Sequence, residues 1–232
     1  MSGTLYGLGL GPGDPELLTL KAHRLISQAK VIAYPAPDSG ESFARSIVAG
    51  YIPEGVREIP IVIPMRSERF PAQEVYDAAA EDIASVLETG QDVIVLCEGD
   101  PFFYGSFMYL FSRLADRFPT EVVPGVSSLG AVTAAAGLPL IARDEVLTVL
   151  PATLPAPELE AQVRKSNAVA IMKLGRQFAK VRSLLEGLGL ADRAVFVSHA
   201  SLPEQMACPL AEAPETAPYF SMVVVPGRDA HV

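Results

Sequence analysis

The sequence predicts an α/β fold with mainly parallel strands in its first part. Three observations predict it. Apolar runs of strand length alternate with amphipathic stretches of helix length, Gly and Pro fall between these runs, and three turns from strand to helix carry glycines. A length of 232 residues suits one large domain or two small ones.

Residues 4–10 are the first strand. Asp14-Pro15-Glu16 then offers an N-cap, a proline at the first helical position and an early acid, while Leu18, Ala22, Leu25, Ile26 and Ala29 recur at helical spacing, so one helix is expected to about residue 29. Residues 31–34 are short and apolar like a buried strand, 43–49 carry Phe43, Ile47 and Val48 on one helical face, and 56–63 alternate as a strand does. Pro71 opens a helix through Val75, Ala79, Ile83, Val86 and Leu87 to Gly90, where a left-handed cap costs glycine least. A buried strand at 92–97, a helix at 106–117 and a short strand within 119–124 follow. The small-residue segment 126–137 marks the domain boundary, giving an N-terminal α/β domain over 1–121 and a C-terminal α/β domain over 122–232. In the second, strands are expected at 146–150, 168–172, 193–198 and 219–225, with helices near 158–165 and 177–188.

Composition excludes several classes of function. The chain has 18 Lys and Arg against 27 Asp and Glu, a net charge of −9, and no basic run, which argues against a nucleic-acid surface. Cys97 and Cys208 lack CxxC spacing and the histidines are only His23, His199 and His231, so neither a disulfide framework nor a protein metal site is expected. Met1-Ser2-Gly3-Thr4 lacks a basic leader, and no apolar stretch approaches the ~18 residues of a membrane span. The expectation is a cytoplasmic protein that does not enter a membrane.

Three loops invite a ligand. Gly7-Leu8-Gly9-Leu10-Gly11-Pro12-Gly13-Asp14 turns from strand to helix, but neither glycine frame of GxGxxG is completed, because Pro12 or Asp14 stands at the sixth position. A nicotinamide-dependent oxidoreductase is thereby disfavoured, and the bland alternative is a tight turn before a capped helix. Residues 98–105 (EGDPFFYG) follow the most hydrophobic strand of the first half and combine glycines, carboxylates and aromatics, as a planar ligand requires, or as a turn with core-filling rings would show. Residues 123–128 (VPGVSS) add free amides and hydroxyls, although Ser127 also suits a helix cap. Elsewhere, Cys97 reads as an inert buried thiol, His199 as structural, and Arg66 and Arg69 as carboxylate grips or plain surface charge.

In this order, these loops resemble those of the tetrapyrrole methylases, enzymes that methylate porphyrinoid rings with S-adenosylmethionine. Residues 7–22 (GLGLGPGDPELLTLKA) resemble the family's opening motif, 99–105 (GDPFFYG) its central one, 123–128 with 134–140 (AAAGLPL) its third, and Ile171-Met172 its fourth. Within the family, residues 98–110 (EGDPFFYGSFMYL) look most like members that methylate precorrin-2 at C20, since Ser-Phe follows Tyr-Gly where uroporphyrinogen methylases carry Arg-Gly. The resemblance implies two α/β domains with an active-site cleft between them, a homodimer, and S-adenosyl-L-methionine as methyl donor.

Carried over by position, it implies donor contacts at Pro12, Gly99, Asp100, Phe103, Ser127, Ser128, Met172 and Ala200; Ser198-His199 stands where an acid-Asn pair is common. Substrate contacts are expected at Tyr34, Tyr104, Arg66 and Arg69, with Lys21 and Arg143 as further cations for a ring bearing several carboxylates. Glu98, Asp100, Tyr104 and His199 are all credible proton acceptors, and spacing singles out none. The substrate is expected to be the metal-free ring. A cobalt-loaded ring, or the protein or ribosomal-RNA acceptor of other methylases with this fold, is the alternative, and a non-catalytic nucleotide-binding module is the reading from a different class.

Overall fold

In the computed structural model, which describes residues 1–63 and 72–229, the chain forms two compact units, Met1–Ser127 and Ser128–Val232. Residue 121, where the sequence places the domain change, lies inside a strand of the first unit.

The first unit holds strands β1 (Leu5–Gly9), β2 (Val31–Pro37), β3 (Arg57–Ile63), β4 (Val93–Cys97) and β5 (Thr120–Val123) in the order β3-β2-β4-β1-β5, all parallel. Its helices are α1 (Leu20–Ile26), α2 (Phe43–Ile47), α3 (Ala72–Glu88) and α4 (Phe107–Leu114). Parallel strands are covered on both faces, which explains why β4 is apolar and buried throughout. Val93, Val95 and Cys97 face a core with Tyr76, Ile83 and Leu87 of α3 and Phe107 and Leu110 of α4. Ile94 and Leu96 face the opposite core, with Ala22 and Ile26 of α1 and Ala44 and Ile47 of α2.

The single helix expected over 14–29 is two pieces. Asp14 caps a 3₁₀ turn at Pro15–Leu17 by accepting from the Glu16 N–H at 2.8 Å. Leu18 and Thr19 are then extended, and the Thr19 hydroxyl oxygen restarts the chain as α1 by accepting from the Ala22 N–H at 3.1 Å. A second cap signal inside an apolar repeat thus outweighs the repeat. β2 runs beyond the expected residue 34 to Pro37. Its pairing with β4 includes Ile32 and Ala33 but not Pro35 or Pro37, so neither missing N–H costs a bond to that neighbour.

The second unit contains α5 (Ser128–Ala136), β6 (Leu147–Pro151), α6 (Ala156–Lys165), β7 (Ala168–Met172), α7 (Phe178–Gly187), β8 (Val195–Ser198), β9 (Met206–Pro209) and β10 (Ser221–Val225). The strand order is β6-β7-β10-β8-β9. Only β6 and β7 are parallel, because β10 enters between β7 and β8 running against both. β10 is buried at every position, as a central strand should be. β9, absent from the sequence-based expectation, pairs antiparallel with β8 as an edge strand. One face of this sheet packs Phe178, Val181 and Leu185 of α7 against Ile171, Phe196 and Val223, and the other packs Val132 of α5 against Ala170, Val197 and Val224.

Phe196 is fully buried, with its ring centroid 5.1 Å from that of Phe178. Phe196→Ala is expected to cost about 3–5 kcal/mol, read as a lower denaturation midpoint in urea or guanidinium.

Candidate active site

β4, β1 and β5 are neighbours, so the loops that follow them emerge at one edge of the first unit's sheet. That edge is where open parallel sheets bind ligands. The loops after β1 and β4 are joined backbone to backbone. The Gly11 N–H donates to the Gly99 carbonyl at 3.1 Å, the Gly99 N–H donates to the Gly11 carbonyl at 2.8 Å, and the Leu10 N–H donates to the Cys97 carbonyl at 2.9 Å. The loop after β5 presses onto both: a Cβ at Gly9 would lie 2.4 Å from the Gly125 nitrogen, and one at Gly125 would lie 2.0 Å from the Gly99 carbonyl oxygen. No side chain fits at either position.

Asp100 completes the assembly. Its Oδ1 accepts from the N–H groups of Phe102 at 2.9 Å and Phe103 at 3.0 Å, and its Oδ2 accepts from the Gly125 N–H at 3.1 Å. One carboxylate therefore folds its own loop and ties it to the next, through bonds stronger than neutral ones. Above this frame, a Cβ placed on Gly99 would meet no atom within 4 Å, so the backbone there faces open space. Phe102, Phe103 and Tyr104 are exposed on the same loop, as is Val126 on the loop after β5, and the Phe102 ring lies 5.1 Å from that of Phe111. All three rings of the loop are therefore accessible, and Phe102 also makes an edge contact with α4.

Two groups beside the loop differ in chemistry. Cys97 is buried, and burial together with the charges of Glu98 and Asp100 pushes its thiol well up, so it stays protonated and inert as expected. Burial also raises the Glu98 carboxyl above its ordinary value, against a partial opposing pull from the amides of Glu98 and Ala44.

Pro12, Gly99, Asp100, Phe103 and Ser127 all stand on these three loops, with Ser127 the last residue of its unit. In the second unit, Ser128 begins α5, Met172 ends β7 and Ala200 follows β8. Met172 and Ala200 pack with Leu129 against one apolar cluster, in which Met172, Met222 and Val197 form a row across three strands.

Tyr34 is buried, and its hydroxyl donates to Glu58 Oε2 at 2.6 Å. The same carboxylate receives Arg45 through Nε at 2.7 Å and Nη2 at 2.8 Å. Arg66 and Arg69 lie outside the described residues. Lys21 pairs with Glu121, and Arg143 is exposed.

Four non-glycine residues in loops after strands have left-handed backbone: Tyr104 (φ 59°), Lys173 (φ 58°), His199 (φ 49°) and Ser201 (φ 70°). Sequence reading missed the reach of Asp100 to Gly125 and the Arg45–Glu58 pair; Asp100-Pro101 was the only local signal for the first, and the second had none.

Comparison with known proteins agrees with the loop motifs. Residues 4–214 match the family described as Tetrapyrrole (Corrin/Porphyrin) Methylases. The chain is 42% identical to the precorrin-2 C(20)-methyltransferase of a Sinorhizobium species, covering 97% of this chain and 96% of that protein. It is 44% identical to the cobalamin biosynthesis protein CobIJ of Mycobacterium bovis over 97% of its own length, and spans only 46% of that longer relative. Among solved structures, the uroporphyrin-III C-methyl transferase of Thermus thermophilus, complexed with S-adenyl homocysteine, superposes with a TM-score of 0.70 at 25% identity, covering 97% of this chain and 92% of that one.

Two outcomes follow from the geometry. Gly125→Ala forces a methyl group into the Gly99 carbonyl and is expected to cost at least about 3 kcal/mol, seen as a lower melting temperature, whereas Gly130→Ala, whose Cβ meets nothing within 4 Å, is expected to be mild. Arg45, then burial and Tyr34, set the Glu58 carboxyl, which is lowered from 4.5 to about 2. The stability it contributes is therefore fully present above pH 4.5 and fades as pH falls toward 2. Because the pair is partly exposed, Glu58→Gln should cost only about 1 kcal/mol at pH 7, and unfolding curves of variant and wild type should converge near pH 2.

Proposed function

We propose that this chain, which belongs to the tetrapyrrole (corrin/porphyrin) methylases, transfers a methyl group from S-adenosylmethionine to C20 of precorrin-2, giving precorrin-3A and S-adenosylhomocysteine. The observation that carries this reading is the match to the Sinorhizobium enzyme over nearly the whole of both chains. The segment 98–110 supports it, with Ser106-Phe107 after Tyr104-Gly105.

The first unit has what an adenosyl methyl donor needs. The Gly99 backbone faces open space, exposed rings at Phe103 and Tyr104 offer apolar surface, and the hydrogen-bonded frame under them holds its shape before anything binds. We assign the donor to Pro12, Gly99, Asp100, Phe103 and Ser127 in the first unit, and, by the same resemblance, to Ser128, Met172 and Ala200 in the second. Asp100 serves by fixing the loop, since its oxygens already accept three amides. Tyr104, Tyr34, Arg66 and Arg69 are assigned to the ring, with Tyr34 acting through the position of β2 because its hydroxyl is engaged by Glu58.

The donor supplies an activated sulfonium methyl, and the reduced ring supplies an enamine-like carbon. Alignment and exclusion of water are therefore the protein's main contributions to rate. The reading includes a cytoplasmic homodimer acting on a small molecule. A net charge of −9 supports the small molecule over RNA, and among the described residues no helix is long and apolar enough to cross a membrane.

The test is anaerobic incubation of the protein and S-adenosylmethionine with precorrin-2, cobalt-loaded precorrin-2 and uroporphyrinogen, read by mass spectrometry and NMR of a carbon-labelled methyl. One methyl at C20 of the metal-free ring is the expected result. Preference for the cobalt-loaded ring would reassign the substrate, and no methyl on any ring would move the search for an acceptor to RNA and protein.

A further inference from the structure

Apart from that reading, we propose that the second unit binds a small polyanion, one bearing phosphate or several carboxylates, in a cavity at the sheet edge opposite the strand ends of Met172 and Ala200. β6, β7 and β8 run the same way and β10 runs against them, so the residues before the first three and after the last gather at one edge. There a cavity of about 580 Å³ is lined by Arg164 and Lys165 at the end of α6, Arg193 before β8, Arg228 after β10, and the carboxylates Glu145 and Asp229. Its size lies within the ~300–1,000 Å³ of small-molecule sites. Asn167, also on its wall, precedes β7 and Met172 ends it, so about 16 Å of extended strand separates the cavity from that residue.

Hydrogen bonds fix the walls. Glu145 accepts from the Asp229 N–H through Oε1 at 3.0 Å and from the Ala142 N–H through Oε2 at 3.0 Å. Arg193 donates through Nη2 to the Pro226 carbonyl, and Asn167 Oδ1 accepts from the Val146 N–H at 2.9 Å. The chain after β10 is thereby fastened to the segments before β6 and β8, and the cavity has its shape before anything binds. Arg164 is engaged with Glu160 of its own helix at 2.7 Å. Lys165 and Arg228 are exposed, and their side chains make no hydrogen bond or ion pair to any described residue.

Charge then selects the ligand. Four cations meet two carboxylates on this lining, in a chain whose net charge is −9. The α6 dipole accounts for Arg164 and Lys165, because cations are favoured at a helix C-terminus. It does not account for Arg193 and Arg228, which reach the same cavity from two other parts of the chain. Guanidinium groups hold phosphate and carboxylate through paired N–H donors, and the ammonium of Lys165 adds a point charge. Asp229 opposes any anion, so a ligand with a single negative charge gains little here and one with several gains more.

The experiment titrates inorganic pyrophosphate and citrate separately into the whole chain, with affinity read by calorimetry and location by amide NMR shifts. Saturable binding with a Kd below about 1 mM is expected, with shifts at Asn167, Arg193 and Arg228. Lys165→Glu and Arg228→Glu should each weaken it at least about tenfold, and Asp229→Asn, which keeps the backbone bond to Glu145, should tighten it about threefold. Lys30→Glu, exposed in the first unit, should leave it unchanged. The probe that binds more tightly assigns the head group as phosphate or polycarboxylate. Failure of both probes to saturate overturns the proposal, as do shifts confined to other residues or an equal weakening by Lys30→Glu. No readout uses methyl transfer, so this site and the C20 reaction stand or fall separately.

Discussion

The first unit's ligand edge depends on three backbones touching where side chains would normally keep them apart. Gly9 ends β1, Gly99 and Gly125 lie on the loops after β4 and β5, and the clearance from Gly125 to the other two is less than a methyl group. Bringing peptide groups this close is favourable only if their N–H and C=O groups are satisfied. The paired hydrogen bonds of Gly11 and Gly99 and the reach of Asp100 to Gly125 provide that. The exposure of Phe103 and Tyr104 and the open face of Gly99 follow from this contact, because a loop tied down from beneath can leave its upper surface bare.

Two neighbouring carboxyl groups show how environment gives one chemistry two different settings. Asp100 gathers three amide donors and becomes part of the frame. At Glu98, two positions earlier, burial opposes the charge. Neither setting is written in the residue type. The difference comes from what surrounds each group, three amide donors at Asp100 and burial at Glu98.

Much of this was legible in the sequence, for identifiable reasons. Buried parallel strands read as apolar runs, so all five strands of the first unit were visible, and the glycines of the three loops marked the ligand edge. Helix continuity was less legible: Thr19 competes with the apolar spacing around it and wins, splitting one expected helix. In the second unit, β10 was visible as a strand, but nothing local tells that it inserts antiparallel between β7 and β8. β9 carries Met206-Ala207-Cys208-Pro209, mostly exposed and without alternation, and is held to β8 by backbone pairing. In the site, Asp100 and Gly125 are 25 positions apart, and the Ala44 amide is 54 from Glu98. Contacts across such separations are set by strand order, which a linear pattern does not encode.

The left-handed residues carry a consequence for evolution and engineering. Tyr104, Lys173, His199 and Ser201 each hold a backbone conformation that costs a side-chain-bearing residue on the order of 1 kcal/mol and costs glycine almost nothing. A screen that rewards survival at high temperature would therefore favour glycine or asparagine at these four positions. Each such gain would remove or shorten a side chain on a loop at a strand end. Backbone ease and side-chain content would pull against each other at these four positions, so a lineage selected for heat resistance would come to carry barer loops.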